Sequence, residues 1–241
     1  AAEARYRGTE VVLVAPDCSP SHVHADYFVP VRPGTDAALA LGMAQVIVEE
    51  GLYNAKFVSE QTDLPLLVRR DNQRFLRESD MVEDGRDDQF YVWDGKKDAP
   101  APAPRETLSL GRVEPLLTGE HSVRLKDGTA ARVVPLFEIV TERLQEYTPE
   151  QASVICGVHP DVMRTLARKA ASRRTTLICG ATAQKYYHGD LMLRAYLLVL
   201  ALTGNWGRQG TGSSEWSTAG FDGPFMYGMK QGEGAEAARK V

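Results

Sequence analysis

The sequence predicts an α/β fold: a parallel sheet with flanking helices and a small β-rich insertion. Three observations predict it. Two apolar, β-branched runs, 10–15 and 175–179, each end in a small-residue loop, the signature of buried strands. Long apolar helical patterns follow them, at 36–50 and 191–202. Between these units lies a charged, proline-rich stretch that carries an Asp-Gly hairpin signal.

The chain has 241 residues, 43% of them hydrophobic and 25% charged, the balance of a globular protein with a real core. A formal net charge of -4 argues against nucleic acid and anionic membrane surfaces as partners. No stretch is apolar enough for a direct membrane span. Cys18, Cys156 and Cys179 are widely spaced and form no C-x-x-C pair, so neither a zinc site nor an iron–sulfur motif is predicted, and no metal ligand is assigned.

Residues 1–7 read as the tail of a helix, and a buried strand follows at 10–15. At that strand's carboxyl end, the loop 16–21 offers Asp17, Ser19 and Ser21 as hydrogen-bonding groups; Ser19 alternatively caps a turn. A second strand is predicted at 27–31. Pro33-Gly34-Thr35-Asp36 then reads as a turn with a helix N-cap, where Thr35 or Asp36 accepts from first-turn N–H groups, worth about 1 kcal/mol. The helix runs to Glu50 with Gly51 as its stop, and Ala37, Leu41, Ala44 and Val48 fall on one face.

A short helix is predicted at 53–62 and apolar packing at 64–68. Residues 71–134 read as a surface insertion with small β elements: a charged run, a strand at 89–93, a polyproline-type segment at 99–105, and strands 121–125 and 130–134 joined by Lys126-Asp127-Gly128-Thr129. Helical spacing returns at Leu136, Ile139, Val140 and Leu144. Thr148-Pro149-Glu150-Gln151 is a capping-box pattern with Pro at the first helical position. His159-Pro160-Asp161 opens another helix, with Val162, Leu166 and Ala170 inside. An acidic chain without a basic recognition face argues against reading this pair of helices as DNA-binding.

The strand 175–179 ends at Gly180. A loop with Lys185, Tyr186, Tyr187 and His188 precedes the helix that stops at Gly204. A strand that turns into a helix through such a loop is where open α/β sheets bind ligands, because the helix N-terminus offers N–H groups to an anion. An ordinary crossover has the same spacing. His188 suits a proton-transfer or oxyanion-binding role and equally a helix-start residue satisfied by a backbone carbonyl.

Two sets of motifs carry a family resemblance. One is Tyr186-Tyr187-His188-Gly189-Asp190, Arg194-Ala195 and Leu202-Thr203-Gly204-Asn205-Trp206-Gly207 with Gly210-Thr211-Gly212. The other is Pro16-Asp17-Cys18-Ser19-Pro20-Ser21, His24-Ala25-Asp26 and Val31-Arg32-Pro33-Gly34-Thr35-Asp36. In this order they resemble the molybdopterin oxidoreductases of the dimethyl sulfoxide reductase family, in the branch of nitrate, selenate and chlorate reductases and ethylbenzene dehydrogenase. The resemblance implies a Rossmann-like parallel sheet in 1–70 and 135–212, forming a domain that grips a molybdopterin guanine dinucleotide. Residues 213–241 would then be an irregular segment leading to a following domain.

The resemblance further implies a molybdenum bis(molybdopterin guanine dinucleotide) cofactor and two-electron oxygen-atom transfer or hydroxylation at molybdenum. Iron–sulfur clusters would lie elsewhere in the complex, none of them ligated by this chain. Its implied cofactor contacts are Asp17, Ser19, Ser21, Gly34, Thr35, Asp36, Gly180, Lys185 and His188, with Asp36 accepting from guanine N1–H and the exocyclic amine. His188 and Tyr187 are the implied catalytic residues near the substrate cavity. The implied partners are the remainder of the catalytic subunit, an iron–sulfur electron-transfer subunit and a small-molecule substrate. The metal ligand would precede residue 1, so the chain is expected to be a central portion, inactive alone. The branch includes exported members, which makes a soluble, periplasmic protein consistent with it. The large iron–sulfur subunit of respiratory complex I resembles the same family without molybdenum; the Asp17, Asp36 and His188 loops favour the enzyme. A nicotinamide dehydrogenase is unsupported, since no G-x-G-x-x-G follows the 10–15 strand.

Overall fold

The computed structural model describes residues 2–107, 109–180 and 185–215. In chain order the elements are α1 (Ala2–Tyr6), β1 (Val12–Ala15), a 3-10 turn (Pro20–His24), β2 (Tyr27–Pro30), α2 (Asp36–Glu49), α3 (Ala55–Gln61), β3 (Leu67–Arg69) and α4 (Glu78–Met81). There follow β4 (Tyr91–Asp94), β5 (Ala99–Pro102), β6 (His121–Arg124), β7 (Ala130–Pro135), α5 (Leu136–Leu144), α6 (Pro149–Cys156), α7 (Pro160–Ser172), β8 (Thr176–Cys179), α8 (Gly189–Leu202) and β9 (Gly212–Glu215). The predicted loop residues 181–184, and 216–241 of the segment expected to be irregular, lie outside the described residues.

The α/β character holds; a single parallel sheet is not seen among the described residues. Among the described residues the strands form four small sheets: parallel pairs β1–β2 and β8–β9, the antiparallel hairpin β4–β5, and the antiparallel order β3-β7-β6. No described strand bridges the two parallel pairs, and Ile178 on β8 is 72% exposed, so that face of the strand is uncovered. Helices join the pairs instead, α2 packing along α8.

The main core is built round α2. The expected one-sided stripe of Ala37, Leu41, Ala44 and Val48 gives way to near-complete burial: Ala38–Ala40 and Gly42–Ile47 are all buried, with Ala37, Leu41 and Val48 at the margins. A helix apolar all round is stable only when surrounded, and α5, α6, α7 and α8 surround this one. Gly42 permits the closest approach. A Cβ there would stand 2.9 Å from Met163 Sδ and 3.0 Å from Ala152 Cβ. Helix α7 presents Met163, Leu166, Ala167 and Ala170 to this core, with Val162 half-buried beside them.

A second core of Leu67, Leu76, Trp93, Val123, Leu125, Ala131 and Val133 sits in the β-rich module. The predicted Asp-Gly hairpin joins β6 to β7, with Asp127 Oδ1 accepting from Thr129 N at 2.9 Å. The segment read as polyproline is a strand. β5 pairs with β4 in the register Val92↔Ala101 and Trp93↔Pro100. Alternation explains it: Pro100 and Pro102 lack N–H groups and face outward on an edge, while the intervening alanines keep theirs for the ladder.

Three helices have conventional caps. Asn54 accepts from Phe57 N, Thr148 from Gln151 N, and His159 Nδ1 from Asp161 N. Among the described residues, α2 and α8 have no side-chain cap.

Candidate functional site

The turn between β2 and α2 is shaped by Gly34, whose φ of +75° suits a residue without a Cβ. Thr35 stands at the N-cap position but does not cap: its hydroxyl donates to Arg32 O at 2.7 Å. The Asp36 carboxylate is half-buried. Among the described residues it receives a hydrogen bond from its own backbone N–H and from no side chain. Burial therefore dominates and pushes its pKa above the ordinary aspartate value. Arg32 beside it is committed to structure, donating to Val154 O at 2.5 Å and Ile155 O at 3.1 Å at the end of α6.

The turn before α8 is built differently. His188 takes a left-handed conformation, φ +56°, at the first position of the helix start, a strain that costs a non-glycine residue roughly 1 kcal/mol. Its ring lies 3.9 Å from that of Tyr187 at 58°, and Tyr187 is 90% exposed. No hydrogen bond reaches the His188 imidazole among the described residues. Lys185 is exposed, and Gly180 is exposed with open space where a Cβ would stand.

These two turns, about 150 residues apart, meet. A Cβ built on Gly34 would lie 3.4 Å from Tyr186 Cδ1 and 3.5 Å from Cγ. The structure thus brings the Gly34 turn that precedes Asp36 against Tyr186, with α2 packed along α8. Asp17 lies in the exposed loop after β1, and Ser19 precedes the 3-10 turn without capping it; the Ser21 side chain is outside the described residues. No described contact links Asp17 or Ser19 to the Gly34–Tyr186 junction.

One group at this place is missed by sequence reasoning. Tyr196 lies on α8, in a run read only for its aliphatic residues. Its hydroxyl oxygen is buried with no hydrogen-bond partner among the described residues. Its pKa is pushed up, first by burial, then by the charge of Asp36, then by Cys179 and Cys156. The C-terminal ends of α6 and β8, the start of α2 and the middle of α8 therefore converge. An uncommon tyrosine in an otherwise aliphatic helix is the signal that marks it.

The most legible motif residues are structural. Asn205 is buried and joins three elements. It accepts from Thr175 N at 2.9 Å and donates to Ala170 O and to Thr203 Oγ1, both at 2.8 Å. Gly204, φ +66°, lets Asn54 approach to within 2.8 Å of where a Cβ would be. A cleft of about 360 Å³ lies elsewhere, between α3 and the β-rich module, lined by Ser59, Asp63, Phe90 and Arg105 among others. None of the predicted site residues lines it. No group of three or more His, Cys, Asp or Glu able to hold a metal occurs among the described residues. No helix among them is long and apolar enough to cross a membrane.

A family model described as molybdopterin oxidoreductase matches residues 1–240. The alpha subunit of perchlorate reductase from Dechloromonas aromatica (strain RCB) is 40% identical over 237 residues, covering 87% of this chain and 26% of that protein. The alpha subunit of chlorate reductase from Ideonella dechloratans is 35% identical over 246 residues, covering 99% of this chain and 26% of that protein. The alpha subunit of dimethylsulfide dehydrogenase from Rhodovulum sulfidophilum is 39% identical over 221 residues, covering 89% and 24%. Among solved structures, acetylene hydratase from Pelobacter acetylenicus superposes with a TM-score of 0.51 at 21% identity, over 86% of this chain and 19% of that one, a likeness of fold. The chain spans about a quarter of the length of the curated relatives it matches.

Proposed function

The chain belongs to the molybdopterin oxidoreductase family, and we propose that it is the part of a molybdenum oxidoreductase catalytic subunit that grips a molybdopterin guanine dinucleotide. The family implies a molybdenum–pterin cofactor. The observation that carries the guanine form is Asp36: a half-buried carboxylate with no side-chain partner among the described residues, at a turn held against the 185–188 loop. Guanine presents N1–H and an exocyclic amine side by side, and a carboxylate accepts from both. That ligand supplies the two donors Asp36 lacks.

The other residues fit a long anionic ligand. Gly34 and Gly180 keep backbone accessible, the uncapped starts of α2 and α8 present N–H groups to phosphate, and Lys185 adds a cation. Asp17 and Ser19, past the carboxyl end of β1, offer further hydrogen-bonding groups. When bound, the cofactor supplies two-electron chemistry at molybdenum, as oxygen-atom transfer or hydroxylation. Tyr187 and His188, exposed with their rings 3.9 Å apart, are read as the residues that meet a small substrate, to which an imidazole offers both a donor and an acceptor. The parallel pairs β1–β2 and β8–β9, each feeding a helix of the α2–α8 pair, support a Rossmann-like arrangement. A second cofactor half, the metal ligand, and an iron–sulfur partner subunit are assigned to the remainder of the enzyme.

The reading is tested by denaturing the purified full-length protein and identifying the released nucleotide alongside its molybdenum. Guanine nucleotide with molybdenum is the expected result. Molybdenum–pterin without a guanine nucleotide, or a folded protein without molybdenum, would overturn it.

A further inference from the structure

The buried hydroxyl of Tyr196 has no role in the account so far. Its oxygen is enclosed and has no hydrogen-bond partner among the described residues. A hydroxyl buried in this way costs about 1–3 kcal/mol unless something accepts from it. Phenylalanine would pack the same space at no such cost, so the oxygen needs a use. It sits where α8 packs along α2 and feels the charge of Asp36. Asp36 in turn has no side-chain donor among the described residues. A donor without an acceptor and an acceptor without a side-chain donor thus share one interior corner.

We propose that Tyr196 is a positioning residue for Asp36: its hydroxyl donates to one carboxylate oxygen when ligand is bound and holds the carboxylate's remaining lone pairs toward the ligand's paired N–H donors. This rests on the guanine reading above. Tyr196 is packed against the main core, so the movement in this step is assigned to the Asp36 side chain. The phenol stays protonated and donates. It favours the ionised carboxylate, the form that guanine's donors require, and offsets the desolvation that raises the pKa of Asp36. The other titratable groups facing this corner are Cys156 and Cys179, with Arg32 beside Cys156. An acid limb in binding belongs to Asp36 if D36N abolishes it.

The test uses the full-length protein prepared without cofactor, with guanosine diphosphate as the probe and each pH profile read against wild type. Y196F is expected to weaken binding about tenfold and to move the acid limb to higher pH, because removing a donor raises the pKa of Asp36. A tyrosine fluorinated beside its hydroxyl, a stronger donor of nearly the same shape, should move the limb the other way; this second variant decides the matter if Y196F fails to fold. Weak binding by D36N together with wild-type affinity and an unmoved limb in the Tyr196 variants would overturn the positioning role while leaving the guanine reading intact. Equal binding by D36N and wild type would overturn the guanine reading itself.

Discussion

Gly34 lies against the ring of Tyr186, so that a Cβ on Gly34 would stand 3.4 Å from Tyr186 Cδ1. The contact links the turn that starts α2 to the loop that starts α8, and so sets Asp36 beside the 185–188 loop. Gly34→Ala should disturb both. Its φ of +75° is a left-handed conformation that costs alanine roughly 1 kcal/mol, while the added methyl would meet the ring at ordinary contact distance. The expected outcome is a small fall in melting temperature with a disproportionate loss of bound cofactor, measured together on the full-length protein.

Asn205 carries a purely structural prediction. Asn205→Ala leaves Thr175 N and Ala170 O without their side-chain partner inside the protein. Unsatisfied buried groups of this kind make the change cost about 3 kcal/mol. Urea unfolding should show a lower midpoint with an unchanged slope.

Asp36 predicts a conflict between stability and binding. Its folded-state pKa is raised by burial, so the cost to the folded state is absent below the ordinary aspartate pKa of 3.8 and grows as pH rises through the folded value. D36N should therefore melt higher than wild type at pH 7 in the absence of cofactor, and the difference should shrink toward pH 3. Calorimetry across that range checks the sign.

Glu10 behaves oppositely. Lys169, and after it Arg173, hold its carboxyl below the usual 4.5, so its stabilisation is present above that value and is lost as pH falls through the lowered one. Glu10→Gln should cost less than about 1 kcal/mol at neutral pH, given partial exposure and solvent screening, and nothing in strong acid. Added salt should narrow the gap between the two proteins.

The legible parts of the sequence were those governed by local rules. The strand at 176–179, the helix stop at Gly204, the Thr148 cap and the Asp127-Gly128 hairpin each follow from a few neighbouring residues. Even so, the capping guess at Thr35 fails, because its hydroxyl turns back to Arg32 O. The all-round burial of α2 was illegible as a stripe, since a helix rich in Ala, Leu and Val matches any apolar face. The 99–102 strand was hidden because proline reads as a strand breaker until the partner strand shows which edge it faces. At the site, residues 33–36 and 185–188 stood out separately, but their meeting at Gly34 and Tyr186 is tertiary. Tyr196 escaped because its significance lies in what its hydroxyl fails to bond.

The most direct test is the guanine-nucleotide and molybdenum content of the full-length protein carrying Asp36→Ala beside wild type. The account predicts that wild type releases guanine nucleotide with its molybdenum and that a folded D36A protein loses most of both. A folded D36A protein with undiminished guanine nucleotide would contradict it.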